Sequence, residues 1–389
     1  MILQILIPQY KETERDIEKL LESIELQRNI DFNDIGVIIV NDGTDVILDP
    51  SFLNKFKFKI KYIRGEHKGV SATRNIALKE ATADYVMFCD ADDMFYHPLA
   101  LQLIIREVTQ KSPDCIYSTF IEEIPDNKNP GKFIYNARQQ AFVFVHGKVY
   151  RRQFLIDKNI WWDEELTLHE DGYFNGLALA QVPRDKLIYC NEPFYMWCNN
   201  KNSVSRQSPT FVLDTYNNNL LAQDKLISKL LPVNIHEAIN LTAIQLFQTY
   251  FLLTGTFLDW SKDEKQSEVL REKIKQNLDL TEKRFAEFYD KFKDCYKHVV
   301  EKERERLFLS TKNGASIFNN NDSKMEDFEK WLIEFKKKYN FDFDDSAIEV
   351  PEQEEKKEKV KDKEIIDIKI KEVEDNVKNN QEDIQKKEK

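Results

Sequence analysis

The sequence predicts an α/β fold for residues 1–210, a mainly helical C-terminal domain for residues 211–350 and a charged tail for residues 351–389. Two observations predict the α/β part. Short, almost continuously apolar segments alternate with amphipathic ones, and polar residues follow the apolar segments where they end. Strands as apolar as these are buried on both faces, which is typical of a parallel sheet covered by helices.

The predicted elements follow one another along residues 1–95. The segment "ILQILIP" is the first strand, and "TERDIEKLLESIELQ" is an amphipathic helix that begins with a capping box from Thr13 and Asp16. Next come two strands, "IGVIIVND" and "FKIKYIRG", then the helix "VSATRNIALKEA" and the strand "DYVMFCDADD". This alternation predicts parallel strands joined by helices.

Residues 96–210 mix a helix, short strands and a loop, and the spacing from 211 to 345 is helical. The stretch 238–258 has no charged residue, but it contains Asn240, Gln245 and Gln248, which a lipid-facing helix rarely carries. We therefore expect a buried core helix there, with a membrane or interfacial helix as the alternative.

The tail carries many charges of both signs, and some of its apolar residues are spaced as in a short coiled coil. It is either disordered and partly helical or an oligomerising helix, so a homo-oligomer formed through the C-terminal region is one of the hypotheses.

Composition narrows the functional classes. The net charge of −11 argues against stable nucleic-acid binding, which usually requires a basic face. Five cysteines without a C-x-x-C spacing are typical of reduced thiols in a cytosolic protein. The N-terminal apolar run is short and lacks a basic region, so it predicts a strand and not a signal peptide. We expect a cytoplasmic location, with peripheral contact at the inner membrane face as a variant.

The stretch "YVMFCDADDMF", residues 85–95, ends a buried strand with Asp90, Asp92 and Asp93. Strand alternation places Asp90 and Asp92 on one side. Carboxylates this close raise each other's pKa or need a cation, and such a pair could hold Mg²⁺ or Mn²⁺. An acidic turn that caps the next helix is the alternative.

Polar residues also follow two other predicted strands. Tyr10 and Glu12 follow the first strand, and Asn41 and Asp42 follow the second. Because ligands bind beyond the carboxyl ends of parallel strands, we expect these side chains to share one site with the aspartates after the fourth strand.

Several blocks, in order, resemble the GT-A glycosyltransferases of family 2, which are inverting enzymes that use nucleotide sugars. The blocks are "ILIPQYKE", "VIIVNDGTD", "KGVSATRNIALKEATADYVMFCDADD", "HGKVYRRQFL", "HEDGYFN" and "NSVSR". The resemblance covers residues 2–206. The sequence departs from the family pattern at Lys11, at Asn41, where aspartate is usual, and at Ala77.

The resemblance implies a Rossmann-like nucleotide-sugar-binding domain and a role for each matched residue. Asp92, with Asp90, would hold a divalent metal, and Asp171 would be the catalytic base with Glu170 beside it. For Glu170 and Asp171 the alternative is a helix cap. The residues that would bind the nucleotide sugar are Pro8, Tyr10, Glu12, Asp42, Arg74, Asp90, Ala91, His146, Ser203, Ser205 and Arg206.

Aromatic residues are dense between positions 160 and 200. Core packing is the commoner reason for such a cluster, so we expect at most two of these rings to face a sugar acceptor. The cluster comprises Trp161, Trp162, Tyr173, Tyr195 and Trp197.

The resemblance thus favours a UDP-sugar-dependent inverting glycosyltransferase with a surface polymer as acceptor, such as a teichoic acid or a capsular or exopolysaccharide. A polyanionic acceptor would need an exposed basic patch, for which Lys148, Arg151 and Arg152 are candidates. A protein or modified-DNA acceptor and a non-catalytic nucleotide-binding scaffold are the alternatives. A nucleotidyltransferase is disfavoured because "PQYKETER" lacks the glycine-rich loop usual after the first strand.

Overall fold

The structure is a computed structural model that describes residues 1–126, 128–139, 143–200, 210–314 and 323–341. The described residues, up to residue 341, belong to one compact unit. The predicted tail, residues 351–389, lies outside the described residues, and the coiled-coil hypothesis therefore stays a prediction.

Within these described ranges, nine strands form one sheet, in the order β3-β2-β1-β4-β8-β6-β9-β5, with β7 paired to β6. Strands β1 to β4 are parallel to one another, whereas β8 is antiparallel to both β4 and β6. The strands are β1 (Leu3–Gln9), β2 (Ile35–Asn41), β3 (Lys59–Arg64), β4 (Tyr85–Phe88), β5 (Met94–Phe95), β6 (Cys115–Pro125), β7 (Phe133–Arg138), β8 (Lys148–Arg151) and β9 (Leu187–Trp197).

Helices accompany the sheet and form most of the C-terminal half. Those of the first half are α1 (Glu14–Glu25), α2 (Pro50–Leu53), α3 (Val70–Glu80), α4 (Ala100–Lys111), α5 (Arg152–Asp157) and α6 (Glu170–Leu179). Those of the second half are α7 (Phe211–Leu230), α8 (Ile235–Thr254), α9 (Thr256–Lys262), α10 (Glu268–Lys297), α11 (Glu301–Gly314) and α12 (Met325–Tyr339). The predicted α/β architecture followed by a helical region is confirmed.

The parallel register of β1, β2 and β4 brings their carboxyl ends to one edge of the sheet. Gln9 pairs with Asn41 at the ends of β1 and β2, and Leu6 pairs with Phe88 at the end of β4. The predicted capping box is also present, since the Thr13 amide donates to Asp16 Oδ2 over 2.8 Å.

A tight turn precedes β8. Gly147 has a φ of +69°, and a Cβ there would lie 2.5 Å from Ser118 Oγ on β6. Only glycine fits a left-handed position this crowded. The turn therefore fixes the position of His146, which directly precedes Gly147.

The uncharged stretch forms α8, and its polar residues are buried within the helical region. Gln245 Nε2 donates to the Tyr216 hydroxyl over 2.9 Å, and that hydroxyl lies 3.0 Å from Thr249 Oγ1. Among the described residues, Ile235–Lys262 is the one helical stretch long and apolar enough to cross a membrane, yet 61% of its most apolar window is buried inside the protein. The expected core helix is therefore present.

Helix α6 packs closely on α7. A Cβ on Gly176 would lie 2.6 Å from Leu226 Cδ2 of α7. His169 Nε2 lies 3.3 Å from Thr215 Oγ1, and Asn234 Nδ2 donates to the Ala180 carbonyl over 2.7 Å. The helical region therefore braces α6, while a domain boundary at residue 210 stays a prediction.

Candidate active site

The centre of the site is Arg74, in the second turn of α3, with only 3% of its surface exposed. Its Nη1 donates to Glu170 Oε1 over 3.1 Å and to Asp171 Oδ1 over 2.9 Å. Its Nη2 donates to Asp90 Oδ1 over 2.9 Å. One guanidinium thus joins Asp90, two residues after β4, to the first turn of α6.

Aromatic packing holds this guanidinium in place. It lies 4.4 Å from the centre of the Trp162 ring, whose plane in turn stacks on Phe174 at 4.3 Å. Burial alone would lower the pKa of Arg74, but the charges of Asp171 and Asp90 outweigh burial and raise it. Arg74 is therefore a permanent cation.

The predicted base and its neighbour begin α6. Asp171 uses its second oxygen, Oδ2, to accept from the Val145 amide over 2.9 Å, so both oxygens of this carboxylate are oriented. Glu170 contacts the same guanidinium, and burial, reinforced by the charge of Asp171, raises the pKa of Glu170 to about 7. His169, just before them, has a φ of +63°, which turns the chain into the helix.

The aspartates after β4 occupy three different environments. Burial opposes ionisation of Asp90, but the Arg74 cation outweighs it and lowers the pKa of Asp90. Asp92 accepts from Asn200 Nδ2 over 2.8 Å, and burial together with the charge of Asp90 raises the pKa of Asp92. Asp93 is 1% exposed, and burial raises its pKa well above the ordinary value.

Both oxygens of Asp93 accept hydrogen bonds from β9 and its end. The Tyr195 hydroxyl donates to Oδ2 over 2.5 Å, and the Cys198 amide donates to Oδ1 over 2.8 Å. The His146 ring stacks on Tyr195 with centroids 5.0 Å apart. Its Nδ1 lies 3.9 Å from Asp93 Oδ2 and has no hydrogen-bond partner among the described residues. Burial lowers the pKa of His146 to about 4, so the ring is neutral.

Two sets of ligand atoms for a cation share Asp90. In the first, one ligand atom each from Asp90, Asp93 and His146 lies within 4.8 Å of the others. The second is the pair predicted from the sequence, Asp90 and Asp92. The unpartnered His146 nitrogen and the crowded carboxylates fit a divalent metal, because carboxylate and imidazole ligands suit ions such as Mn²⁺.

The ends of β1 and β2 bring Tyr10 and Asp42 to the same edge of the sheet. Asp42 Oδ1 accepts from the Lys68 amide over 2.8 Å, and Oδ2 lies 2.9 Å from His67 Nδ1. Tyr10 stacks on the His67 ring at 4.9 Å and remains 40% exposed. Asp42 therefore orders the loop that leads into α3.

The remaining predicted binding residues lie close to these. Pro8 is half-buried at the end of β1, and Glu12 Oε2 accepts from the Tyr10 amide over 2.7 Å. Ala91 is buried between the aspartates. Asn41, which stands where the family usually has aspartate, donates to the Val46 carbonyl over 2.8 Å and so orders its own loop. Three further predicted residues lie outside the described residues, namely Ser203, Ser205 and Arg206.

Three residues that the sequence analysis mentions without a role in the donor site also build it. Asp93 is a hydrogen-bonded anchor, and Trp162 supports Arg74. Lys148 is 2% exposed, points inward and donates to the His146 carbonyl over 3.4 Å. Lys148 therefore does not belong to an exposed basic patch. The prediction that it forms one with Arg151 and Arg152 is wrong for this residue. Burial lowers the pKa of Lys148 to about 7. In the sequence, the one indication that Lys148 belongs to the site was its position in the matched block "HGKVYRRQFL".

Comparison with known proteins supports the family resemblance. A family model described as Glycosyl transferase family 2 matches residues 4–160. EpsJ of Bacillus subtilis, named an uncharacterized glycosyltransferase, is 26% identical over 226 residues, which are 52% of this chain and 63% of EpsJ.

Two staphylococcal relatives carry more specific names. TarS of Staphylococcus aureus, a poly(ribitol-phosphate) beta-N-acetylglucosaminyltransferase, is 26% identical over 50% of this chain and 35% of its own length. A teichoic acid poly(glycerol phosphate) polymerase of Staphylococcus epidermidis is 42% identical over 56% of this chain and 31% of its own length. The chain thus spans less than two thirds of each of these relatives.

Solved structures share the fold. The crystal structure of S. aureus TarS 1-349 in complex with UDP matches 92% of this chain and 98% of that chain, with a TM-score of 0.54 and 17% identity. The complex of the same protein with UDP-GlcNAc matches 81% and 92%, with a TM-score of 0.51 and 18% identity. The model of Glycosyl transferase family 2 thus matches residues 4–160 of this chain, and the TarS structures share its GT-A fold.

Proposed function

We propose that this protein is an inverting glycosyltransferase that moves a sugar from a UDP-sugar to a hydroxyl of a teichoic-acid-like surface polymer. The observation that carries the proposal is the meeting of Asp90, Glu170 and Asp171 on the buried Arg74. The names of two relatives, which act on or make polyol-phosphate polymers, support the acceptor class. The UDP and UDP-GlcNAc complexes of TarS support the donor class.

Asp171 is the proposed base. Inversion requires a base that takes the proton of the acceptor hydroxyl while this oxygen attacks the anomeric carbon and the nucleoside diphosphate leaves from the opposite side. The Asp171 side chain is 19% exposed, so it is accessible to an acceptor. Arg74 and the Val145 amide donate hydrogen bonds to its two carboxylate oxygens and so orient them.

Glu170 has a different role in this proposal. A pKa of about 7 would suit a base as well, but the side chain of Glu170 is less exposed than that of Asp171, at 15% against 19%. Its contact with Arg74 instead limits the motion of the first turn of α6. We assign it as a positioning residue for Asp171.

We place the divalent metal, Mn²⁺ or Mg²⁺, on Asp92 and Asp90. Both side chains are partly exposed, whereas Asp93 is 1% exposed and already accepts two hydrogen bonds. When bound, such an ion offsets the charge of the leaving diphosphate as a Lewis acid. Asp90 has a second task, since it keeps Arg74 aligned with Asp171.

The uridine end of the donor is proposed to bind at the ends of β1 and β2. Tyr10 offers an exposed ring there, beside Pro8 and Glu12, and Asp42 lies next to the loop before α3. The remaining proposed contacts to the sugar and diphosphate come from Ala91, His146, Ser203, Ser205 and Arg206. A cytoplasmic location and a homo-oligomer through the C-terminal region belong to the same proposal.

The decisive experiment is UDP binding by calorimetry, with and without Mn²⁺, for the wild type and for Asp92→Ala. Binding that requires Mn²⁺ and is lost in the variant supports the metal-bridged donor site. If the affinity for UDP is the same with and without Mn²⁺ and the same in Asp92→Ala, the metal-binding role proposed for Asp92 is wrong. The acceptor is then tested by transfer from radiolabelled UDP-sugars to poly(glycerol phosphate) or poly(ribitol phosphate), with a neutral glucan as control.

A further inference from the structure

Helix α6 contacts the loop before β8 through two side chains that lie one helical turn apart. Asp171 and Asn175 are four residues apart on α6, so their side chains project from the same face of the helix. Asp171 Oδ2 accepts from the Val145 amide over 2.9 Å. Asn175 Nδ2 donates to the Phe144 carbonyl over 2.8 Å. The two side chains therefore bind the two polar ends of one peptide group, which joins Phe144 to Val145.

The geometry of a peptide group makes these two contacts depend on each other. The group is planar and trans, so its N–H points in the direction opposite to its C=O. A donor that fixes the direction of the Phe144 carbonyl therefore also fixes the direction of the Val145 N–H. This N–H and the guanidinium of Arg74 orient the carboxylate of Asp171. The Phe144 carbonyl is thus linked to the orientation of the proposed base.

The side-chain amide of Asn175 is held in one orientation. Asn175 is fully buried, and its Oδ1 accepts from the Tyr150 hydroxyl of β8 over 2.6 Å. Burial raises the pKa of Tyr150 well above its ordinary value, so this hydroxyl keeps its proton and donates. The amide nitrogen must then face the loop, because exchanging the two ends of the amide would place Oδ1 against the Phe144 carbonyl oxygen. The Tyr117 hydroxyl also donates to the Asn175 carbonyl over 3.2 Å, which fixes the backbone of this turn.

A second donor reaches the same carbonyl. The side-chain nitrogen of the buried Lys148 also donates to the Phe144 carbonyl oxygen. A carbonyl oxygen has two lone pairs and can accept both hydrogen bonds. Burial lowers the pKa of Lys148 to about 7, but the neutral amine carries N–H groups as the ammonium does. The contact is therefore available on both sides of neutral pH.

We propose that Asn175 and Lys148 are positioning residues, which hold the peptide group after Phe144 so that its N–H meets the carboxylate of the base. The inference rests on the proposed function, in which Asp171 takes the proton of the acceptor hydroxyl. Both residues act through the backbone and do not contact the reacting atoms. A residue that only satisfied a buried carbonyl would contribute to stability alone, whereas a positioning residue also contributes to the rate.

The first test is the rate of sugar transfer by Asn175→Leu, a substitution of similar size that removes the donor to Phe144. We expect kcat to fall about ten- to a hundredfold, as small misplacements of a catalytic group cause, while the affinity for UDP changes much less. Thr249→Val is the matched control. It removes a buried hydrogen bond from α8, where the Thr249 hydroxyl donates to the Gln245 carbonyl over 2.9 Å, and should leave kcat unchanged.

A second comparison separates positioning from a general loss of structure. In the Asp171→Asn background the base is absent, so Asn175→Leu should lower the residual rate by less than about twofold. An equal loss in both backgrounds would mean that Asn175 does not act through Asp171. If Asn175→Leu does not fold, Lys148→Met takes its place in both comparisons, because it removes the other donor to the same carbonyl.

Hydrogen exchange of the Val145 amide is a measurement that does not require activity. NMR of protein labelled with isotopic valine follows this amide directly. Exchange should be slow in the wild type, at least about tenfold faster in Asn175→Leu, and unchanged in Thr249→Val, because only the first substitution releases the peptide group. Fast exchange of this amide in the wild type would by itself overturn the inference.

The inference is also overturned if Asn175→Leu changes neither kcat nor the exchange of the Val145 amide, or if Thr249→Val reduces kcat equally. The proposed function fails separately. Faster exchange in Asn175→Leu, together with no sugar transfer by the wild type, would keep the contact that positions Asp171 and reject the activity. Sugar transfer that depends on Asp171 but not on Asn175 would do the reverse.

Discussion

Arg74 donates from Nη1 to Asp171 Oδ1 over 2.9 Å while its Nη2 donates to Asp90 Oδ1 over the same distance. The proposed base and the first aspartate after β4 therefore share one buried cation. Glu170 adds a third carboxylate to this cation, so three carboxylates share the hydrogen bonds of a single side chain.

Replacing Arg74 by alanine should lower the free energy of unfolding by about 3–5 kcal/mol, because it leaves buried carboxylates without their cation. Urea denaturation measures the change. Arg64→Ala is the control. Arg64 forms an exposed pair with Asp45 at 3.7 Å, which should contribute about 1 kcal/mol or less. Equal losses in the two variants would contradict the central role of Arg74.

Asp171→Asn should reduce the rate of sugar transfer by about 10²- to 10⁴-fold, the usual contribution of a general base. UDP binding should change little, because Asp171 faces the acceptor in this proposal. Steady-state transfer and calorimetry measure the two properties. Glu170→Gln should lower the rate much less, and the opposite order of effects would exchange the roles of these neighbours.

Stability should depend on pH through Glu170, whose pKa rises from the ordinary 4.5 to about 7 through burial and the charge of Asp171. The folded protein holds this proton more tightly than the unfolded chain does. Its contribution to stability is therefore complete below pH 4.5 and is lost as the pH rises through about 7.

Glu170→Gln cannot ionise, so the stability of the wild type relative to this variant should fall by about 2–3 kcal/mol between pH 4.5 and 7.5. Urea denaturation across this range, in metal-free buffer, measures the difference. The exposed Glu192→Gln serves as control and should run parallel to the wild type. A parallel curve for Glu170→Gln as well would contradict the raised pKa.

Asp92→Asn should abolish the Mn²⁺ dependence of UDP binding, whereas Asp93→Asn should keep it. Asp93 is buried with a raised pKa, and asparagine resembles its protonated form. Calorimetry with and without Mn²⁺ distinguishes the two. If Asp93→Asn and His146→Ala remove the metal response and Asp92→Asn does not, the ion belongs to the other set of ligand atoms, formed with Asp90.

Gly176→Ala should destabilise the protein by about 1–3 kcal/mol, because its Cβ would meet Leu226 at 2.6 Å and force α6 and α7 apart. Gly172→Ala is a control on the same helix. A Cβ there has no heavy atom within 4 Å, so alanine should stabilise the helix by up to about 1 kcal/mol. Thermal denaturation of both variants checks the contrast.

The strands and helices that depend on the pattern of apolar and polar residues along the chain could be predicted from the sequence. The continuous apolar runs of β1, β2 and β4 indicated a buried parallel sheet, and the uncharged stretch with buried glutamine indicated the core helix α8. Most of the residues placed at the strand ends by the resemblance also lie at one edge, since parallel register brings those ends together.

Contacts between distant parts of the chain were not predictable. Trp162 lies under Arg74 because its backbone is hydrogen-bonded to Asn75, and Tyr195 donates to Asp93 because β9 pairs with β5 and β6. No periodicity in the sequence encodes such pairings. The burial of Lys148 was not predictable either, because lysine is almost never fully buried. Here backbone carbonyls accept hydrogen bonds from its ammonium group.

The close packing of α6 on α7 has a consequence for the proposed base. Asp171 lies beyond residue 160, where the family match ends, and the helix that it begins is covered on one side by Leu226 and tied at its start to Thr215. Arg74 and the Val145 amide orient the carboxylate itself, but the backbone that carries it rests on the helical half. Substitutions in α7 can therefore change the rate of catalysis without altering any residue that contacts the base.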